Sequence, residues 1–427
     1  MPHPARAAAL AGALLLGASA AGAQTRVDSA STPSATVPDA GPPVDSASTP
    51  SATVPDAGPP ADVEPAPAAS APAASAPAAS APAALPPPAP LDIPAESPVS
   101  LKVYGDTMFQ YRNRGPVKAS FDAAHLDLFL TADVGKLTFL SEVFFEGRDD
   151  NEIAVDVERL QVSYLFENWF RVRVGRSHTA VGYYNDTYHH GNLFELTTQR
   201  PFGIQFEDKG GLIPAHLVGA GIDGTFEAGK AGEFRYDAEV GNGRLADPTG
   251  VAIVNASKSE KLVNLRLRWL APVDGLIVGV NGIYDLVPEL EATATDPGRR
   301  KVIEGIGGAH VVYMEHGVHF LAEVYVIHHE RSGGGSFDIF GGFTEIGYTV
   351  GKFTPYVRPE YIRFPSDADP VFQHAGAVWE GAPTAFDARI GVRWLPLPQI
   401  ALKVEGERFA RGAGAQEFVS AKVAFGF

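Results

Sequence analysis

The stretch Phe418–Phe427, which reads FVSAKVAFGF, alternates apolar residues with small or polar ones up to the last position of the sequence. Its apolar members are Phe427, Phe425, Val423, Ala421 and Val419. A period of two predicts a β-strand with one apolar face and one wetter face. On its own, this pattern fits both the closing strand of a membrane β-barrel and an edge strand of a soluble sandwich.

The same alternation recurs through the chain from Ser100 onward. Phe386–Trp394, for example, carries Asp387, Arg389 and Arg393 on its polar face. Sixteen strands are predicted in this way, near residues 101–112, 121–133, 137–147, 155–166, 169–176, 215–227, 233–241, 258–270, 275–285, 301–313, 317–329, 337–350, 352–363, 384–395, 398–409 and 417–427.

Three features of these strands favour a membrane barrel over a sandwich. The strands are about 9–13 residues long, which exceeds the usual five or six and suits a tilted bilayer crossing. Short and long connections alternate, as they do in outer-membrane barrels. Aromatic residues stand at the strand ends, where membrane interfaces favour them: Tyr104, Phe166, Trp169, Trp269, Tyr313, Tyr361 and Trp394.

We therefore predict an all-β fold, a 16-stranded antiparallel transmembrane β-barrel over residues 100–427. The stretch Pro201–Asp208 could form one further strand. A seventeenth strand would place the two termini on opposite faces of the membrane, so we assign this stretch to a loop. An even number of strands returns both ends of the barrel to the same side.

The N-terminal segment has the composition of a targeting sequence. Arg6 precedes the apolar run Ala7–Ala18, and the small residues Ala21, Gly22 and Ala23 form a cleavage site. Residues 1–23 therefore predict a secretory signal peptide.

The segment that follows, residues 24–99, is of low complexity. The 17-residue sequence Val27–Pro43 is repeated letter for letter at Val44–Pro60, and Ser-Ala-Pro-Ala-Ala then occurs three times in Ser70–Ala84. Such Pro- and Ala-rich sequence has too little apolar mass to fold. We expect a disordered, extended tether in the periplasm, which is either a passive spacer or a segment that reaches through the cell-wall layer or holds a partner.

Composition excludes several other classes of protein. The 427 residues include no cysteine, which rules out a disulfide framework and cysteine-ligated metal sites. The net charge of −16 would repel nucleic acid.

The neighbours His189 and His190, like His328 and His329, would point to opposite faces of a strand and could not chelate as one unit. We therefore predict no cofactor and no metal.

The connection Ser177–Pro214 is much longer than the others, and a loop of this length in a compact protein is usually functional or disordered. Its acids include Asp186, Glu195, Glu207 and Asp208. Its apolar residues include Phe194, Leu196, Phe202, Ile204 and Phe206. This apolar content favours a loop that packs inside the barrel over one that floats outside it.

Residues 172–243 resemble bacterial porins and, more loosely, the phosphate-selective porin family. The similar motifs are Val-Arg-Val-Gly-Arg at 172–176, Gly182, Arg200-Pro201, Gly-Ala-Gly-Ile-Asp-Gly at 219–224, Tyr236 and Val-Gly-Asn-Gly at 240–243. The resemblance implies that the third external loop, here residues 177–214, folds inward and narrows a pore, with its acids facing a basic wall. It also implies that the barrel trimerises, and that Phe427, Phe425 and Val423 form the signal read by the barrel-assembly machinery.

Charged residues on the polar strand faces would line the lumen of such a barrel. The basic wall would consist of Arg159, Arg171, Arg173, Arg266, Arg268, Arg358, Arg389 and Arg393. Inward acids would include Glu142, Glu146, Glu360, Glu405 and Glu407. Such a wall, opposed by the loop acids Asp186, Glu195, Glu207 and Asp208, would create a transverse field that sets ion preference. Alternatively, the charges pair across the lumen and only brace it.

Together these patterns predict a passive diffusion channel, a porin, for small hydrophilic solutes or ions in the bacterial outer membrane. The expected partners are outer-membrane lipid, the barrel-assembly machinery and further copies of the chain in a homotrimer. No chemical step is implied, so we do not predict an enzyme. Two alternatives stay open: a non-conducting structural or adhesion barrel, and an outer-membrane hydrolase built on Ser177, His178, Asp186 and His189.

Overall fold

The computed structural model describes residues 99–115, 118–122, 124–147, 152–189, 191–206, 211–247, 250–253, 259–288, 301–332, 334–363, 369, 371–372, 384–411 and 414–427. The predicted signal peptide and all but the last residue of the predicted tether lie outside these residues. Within the described part of the chain, no helix is long and apolar enough to cross a membrane.

Sixteen antiparallel strands form the barrel, as the alternation predicts. They are β1 (Val99–Arg112), β2 (in two segments, Ala119–Phe121 and His125–Val134), β3 (Leu137–Gly147), β4 (Ile153–Glu167), β5 (Phe170–His178), β6 (His216–Glu227), β7 (Glu233–Asn242), β8 (Lys261–Leu270), β9 (Leu276–Pro288), β10 (Lys301–Glu315), β11 (Val318–Arg331), β12 (Ser336–Tyr348), β13 (Phe353–Arg363), β14 (Thr384–Leu397), β15 (Ile400–Arg411) and β16 (Gly414–Gly426).

The barrel closes where β16 pairs antiparallel with β1. The register runs from Tyr104 opposite Gly426 to Arg112 opposite Phe418. Beyond the last paired residues, Val103 and Phe427 exchange two backbone hydrogen bonds of 2.9 and 2.8 Å. Closure leaves the sheet without an open edge, as the predicted barrel requires.

The two faces of each strand show which side of the sheet meets lipid. In β8, Val263, Leu265 and Leu267 are about half exposed, whereas the alternate residues Asn264 and Arg266 are buried. Polar side chains therefore fill the interior and apolar ones cover the outside, which is the reverse of a soluble sandwich. In β16, Val423 likewise faces outward while Ser420 and Lys422 are buried.

Aromatic rings cluster near the short-turn ends of the strands. Trp169 stacks on Phe226 at 6.5 Å between ring centroids, and Phe353 stacks on Trp394 at 5.7 Å. These rings form the interfacial belt expected of a membrane barrel. Tyr104 is an exception to the prediction, because its ring points inward and packs edge-on against Phe129 and Phe194.

The connections alternate in length as predicted, with tight turns at one end of the barrel and longer loops at the other. The stretch 201–206 contains a 3-10 turn, Phe202–Ile204, and no strand, which supports its assignment to a loop. The fourth long connection holds a small hairpin that the alternation did not predict. Its strands, Arg244–Asp247 and Gly250–Ile253, pair with each other and not with the barrel sheet.

An apolar core lies inside the barrel on the side of β8–β14. The third long connection contributes Val181, Tyr184, Ile204, Leu212 and Ile213 to it. The wall contributes residues that are apolar although they face inward: Leu262, Ile283, Val302, Ile306, Leu321, Tyr325, Ile327, Ile339, Phe343 and Ile362. This core holds the third loop against one half of the wall.

Candidate pore and its inward loop

The described residues between β5 and β6, which are 179–189, 191–206 and 211–215, are here called the inward loop, and they lie in the barrel interior. They include one short helix, α1 (Tyr184–Tyr188), in which Tyr184, Asn185 and Tyr188 are buried. The Asn185 amide donates to the carbonyl oxygens of Thr179 and Ala215, at 3.1 and 3.0 Å. One side chain thus ties together the two ends of the inward loop.

Arg200, from the Arg-Pro pair of the porin-like motifs, braces the inward loop internally. Its guanidinium donates to the His189 carbonyl at 2.7 Å and to the Asn185 side chain at 3.0 Å. It also donates to the carbonyl of Ile204 at 3.1 Å. The first and second halves of the loop are therefore joined by a buried, charge-assisted network.

Acids of the wall hold the backbone of the inward loop. Glu323 of β11 accepts hydrogen bonds from the backbone N–H groups of Tyr183 and Tyr184, at 2.7 and 2.6 Å. Glu405 of β15 accepts from the Thr198 hydroxyl at 2.6 Å. Buried carboxylates that accept backbone N–H bonds satisfy donors that would otherwise be costly in the interior.

Basic residues of β13–β16 complete this attachment. Arg358 donates to the Thr197 hydroxyl, Lys403 donates to the Thr197 carbonyl at 2.7 Å, and Lys422 donates to the Asn192 side chain at 2.7 Å. The predicted pore residues Arg358 and Arg389 are both buried. Arg389 pairs with Asp387 at 2.8 Å and with Glu405 at 3.1 Å.

The other half of the wall borders an open cavity of about 290 Å³. Its cationic lining consists of Arg159, Arg171, Arg173, Arg235, Arg266 and Arg268. Its anionic lining consists of Asp186, Asp223 and Asp237. Among the lining residues themselves, cations outnumber anions by three. Three of the arginines also pair with acids outside the lining, Arg159 with Glu142, Arg173 with Glu239 and Arg235 with Glu233. Of the eight predicted wall arginines, five line this cavity, whereas Arg358, Arg389 and Arg393 do not.

Ion pairs fix the arginines of this cavity in place. Arg173 reaches Asp223 and Glu239, each at 2.6 Å. Arg266 bridges Asp237 at 2.9 Å and the loop residue Asp186 at 2.8 Å. The predicted opposition of a loop acid to a basic wall is therefore present at Asp186. The charged groups here pair with one another and also face the cavity.

A second cavity, of about 330 Å³, lies beside the first and borders β1–β4. The two share Arg159, His178 and Asp186, so these three residues stand between them. Ser177, which belongs to the hydrolase alternative, lines the first cavity. The His178 ring stacks on the imidazole ring of His189, with 3.4 Å between the two ring centroids.

The loop acids differ in their surroundings. Partial burial works to raise the pKa of Asp186, but the Arg266 guanidinium outweighs it and holds this pKa well below the usual carboxyl range. Glu195 is buried and accepts a hydrogen bond from the Tyr184 hydroxyl, away from both cavities. Glu207 and Asp208 lie outside the described residues.

Sequence analysis did not identify three charged residues that line the first cavity: Asp223 on β6, and Arg235 and Asp237 on β7. In β7 the signal was available, because Phe234, Tyr236, Ala238 and Val240 alternate with them. In β6 the alternation was weak, because glycines without side chains occupy several positions.

The fold is shared with solved outer-membrane porins. An anion-selective porin from Comamonas acidovorans has 15% sequence identity and a TM-score of 0.55, with 78% of this chain and 100% of that chain covered. A Salmonella typhi OmpF in complex with daunomycin has 12% identity and a TM-score of 0.54, covering 78% and 98%. In-vitro folded OmpT of Vibrio cholerae, in its trimer form, has 12% identity and a TM-score of 0.53, covering 78% and 99%.

No family model and no curated protein matches the sequence. At these identities the similarity concerns the fold. The chain is thus a 16-stranded barrel with the fold of solved outer-membrane porins.

Proposed function

We propose that this barrel is a passive diffusion channel in the bacterial outer membrane, for small hydrophilic solutes or ions, and that it favours anions. The observation that carries the proposal is the first cavity, in which six arginines face three aspartates. A water-filled passage whose wall has low dielectric focuses the field of its charges. Excess positive charge raises the local concentration of anions and lowers that of cations.

The inward loop supports a narrowed passage rather than a wide one. Its attachment to β11–β16 leaves the β1–β8 side of the interior for transport, where both described cavities lie. Fixed ion pairs give the passage a constant electrostatic profile, because the guanidinium groups of Arg173 and Arg266 cannot reorient freely. The solute would cross by diffusion, without a chemical step.

The surroundings of the channel follow from the same proposal. The exposed apolar belt would contact outer-membrane lipid, and the short-turn end with the N-terminal extension would face the periplasm. The assembly machinery would read the last strand at Phe427, Phe425 and Val423. We also propose a homotrimer, by analogy with the trimer form of the Vibrio cholerae protein.

Reversal potentials across a planar bilayer test the anion preference. In a KCl gradient, the purified barrel should show stepwise currents and a reversal potential on the anion-selective side. Arg268→Gln removes one charge from the first cavity and leaves Asp237 paired with Arg266. This variant should shift the reversal potential toward cation selectivity.

Arg408→Gln is the matched control for this measurement. Arg408 is exposed, pairs with the exposed Glu417, and lines neither described cavity. The Arg408→Gln variant should leave the reversal potential unchanged. Equal shifts in both variants would refute the role of the first cavity. Complete absence of current steps would favour the alternative of a non-conducting barrel. Apolar contacts that pack the inward loop against the wall are the observation that supports this alternative.

A further inference from the structure

Three imidazoles and one carboxylate meet where the inward loop leaves and rejoins the wall. We infer that His178, His189, His216 and Glu158, here called the histidine cluster, bind one divalent transition-metal ion of the Zn²⁺ type. All four residues are buried, with 5–6% of their surface exposed. This inference concerns binding and does not depend on whether the barrel conducts.

The topology brings the histidines together from separate parts of the sequence. His178 ends β5 and His216 begins β6, and the two residues lie directly opposite each other in the strand pairing. His189 follows α1 and comes back over this pair. Its Nε2 lies 2.9 Å from Nε2 of His216, and the possible ligand atoms of all three histidines lie within 4.8 Å of one another.

A β-bulge supplies the fourth group. In the pairing of β3 with β4, Glu142 is opposite Arg159 and Val143 is opposite Val157, so Glu158 is an extra residue. A bulge of this kind re-aims a side chain, and here it turns both Glu158 and Arg159 toward the interior. Glu158 Oε2 then lies 2.5 Å from His216 Nε2 and 3.7 Å from His189 Nε2.

The donor set matches the ligands that such ions prefer. Imidazole nitrogen with a carboxylate suits Zn²⁺ and its neighbours in the first transition row. Tetrahedral bonds of about 2.0–2.1 Å place neighbouring ligand atoms roughly 3.3 Å apart. The separations of 2.5, 2.9 and 3.7 Å among Glu158, His189 and His216 lie around this value. The rings of His178 and His189 are stacked, so one of them would rotate for both to direct a nitrogen at the same ion.

The surroundings of the histidine cluster also fit a bound cation. Glu142 Oε2 lies 3.4 Å from His178 Nε2, where a carboxylate behind a metal-bound imidazole would orient the ring. His178 borders both cavities and His189 borders the second, so an ion can enter from the lumen. A bound ion would link β4, β5, β6 and the inward loop at one point.

Co²⁺ titration of the purified full-length barrel tests this inference, because tetrahedral Co²⁺ has a characteristic visible absorption. After treatment with a chelator, the protein should bind one Co²⁺ per chain, and Zn²⁺ should displace it. His216→Gln and His178→Gln should each weaken binding by at least about ten- to a hundred-fold. The control His316→Asn changes an exposed histidine in a turn, at φ 55°, which Asn tolerates, and should bind as the parent does.

Loss of Co²⁺ binding could also result from misfolding, so a second variant is chosen that should gain a spectroscopic signal. The chain has no cysteine, so His189→Cys introduces a single thiol. If position 189 is a ligand, Co²⁺ should acquire a thiolate charge-transfer band that the parent lacks. The inference is refuted if the folded parent shows no saturable binding of Co²⁺ or Zn²⁺. The inference is also refuted if the cluster variants bind Co²⁺ as tightly as the control does. That result would indicate that the four side chains form hydrogen bonds with one another and hold no metal ion.

Discussion

At the scale of single residues, Gly182 marks the closest approach of the inward loop to the wall. It has φ +62°, and a Cβ built on it would lie 2.1 Å from the Tyr325 hydroxyl and 2.5 Å from Glu323 Oε2. Glu323 is the carboxylate that holds the backbone of Tyr183 and Tyr184. The absence of a side chain at position 182 therefore permits the main attachment of α1.

We expect Gly182→Ala to loosen the inward loop. The left-handed conformation costs a non-glycine residue about 1–2 kcal/mol, and the contact with Glu323 adds to this cost. Limited proteolysis of the folded barrel should cut the loop faster, and single-channel currents should become noisier. Gly282→Ala is the control, since a Cβ there meets no atom within 4 Å. Identical behaviour of the two variants would contradict this account.

At the scale of elements, the seam between β1 and β16 completes the barrel. Nine residue pairs join these strands, and the backbone of Phe427 adds two hydrogen bonds to Val103. Inside a bilayer, each unsatisfied backbone group costs several kcal/mol, because no water is present to replace the partner. The seam therefore decides whether the sheet can exist in lipid at all.

Deletion of Phe427 should impair assembly before it alters any property of the pore. The deletion removes the two backbone hydrogen bonds at the end of the seam, together with an aromatic ring that is 74% exposed. The amount of heat-modifiable, folded barrel in isolated outer membranes would fall. Phe121→Ala, which removes an equally exposed ring from β2, should assemble normally. Normal insertion of the truncated chain would refute this role of the seam.

At the scale of the whole molecule, polarity is distributed in the reverse of a soluble protein. Arg358 and Lys403 are fully enclosed, while Leu265 and many other aliphatic residues are about half exposed. A charge on the outer surface of a water-soluble protein costs little. On the outer surface of this barrel, it should be costly in proportion to its depth in the bilayer.

Leu265→Arg, near the middle of β8, should therefore destabilise the barrel in lipid by about 2–4 kcal/mol. Leu101→Arg, near the end of β1, should cost only about 0–1 kcal/mol although its side chain is more exposed, at 61% against 49%. Denaturant titration of the barrel in vesicles measures both. Equal effects would argue against a membrane-spanning arrangement of these strands.

The sequence by itself determined the strands, because their signal is local. A side chain in a strand must point to one face or the other, so the alternation in 258–270 and 384–395 specified both the strands and their outward residues. The order of short and long connections then specified sixteen antiparallel strands. For the same reason, alternation could have placed Arg235 and Asp237 in the lumen.

Only the tertiary structure decided which inward residues meet. Arg358 has the same sequence signal as Arg173, yet the inward loop covers Arg358 and leaves Arg173 at a cavity. Alternation places Glu158 on the lipid face, and only the bulge in β4 turns it inward. His178, His189 and His216 come together because a strand pairing and a folded loop bring distant positions into contact, which no local pattern records.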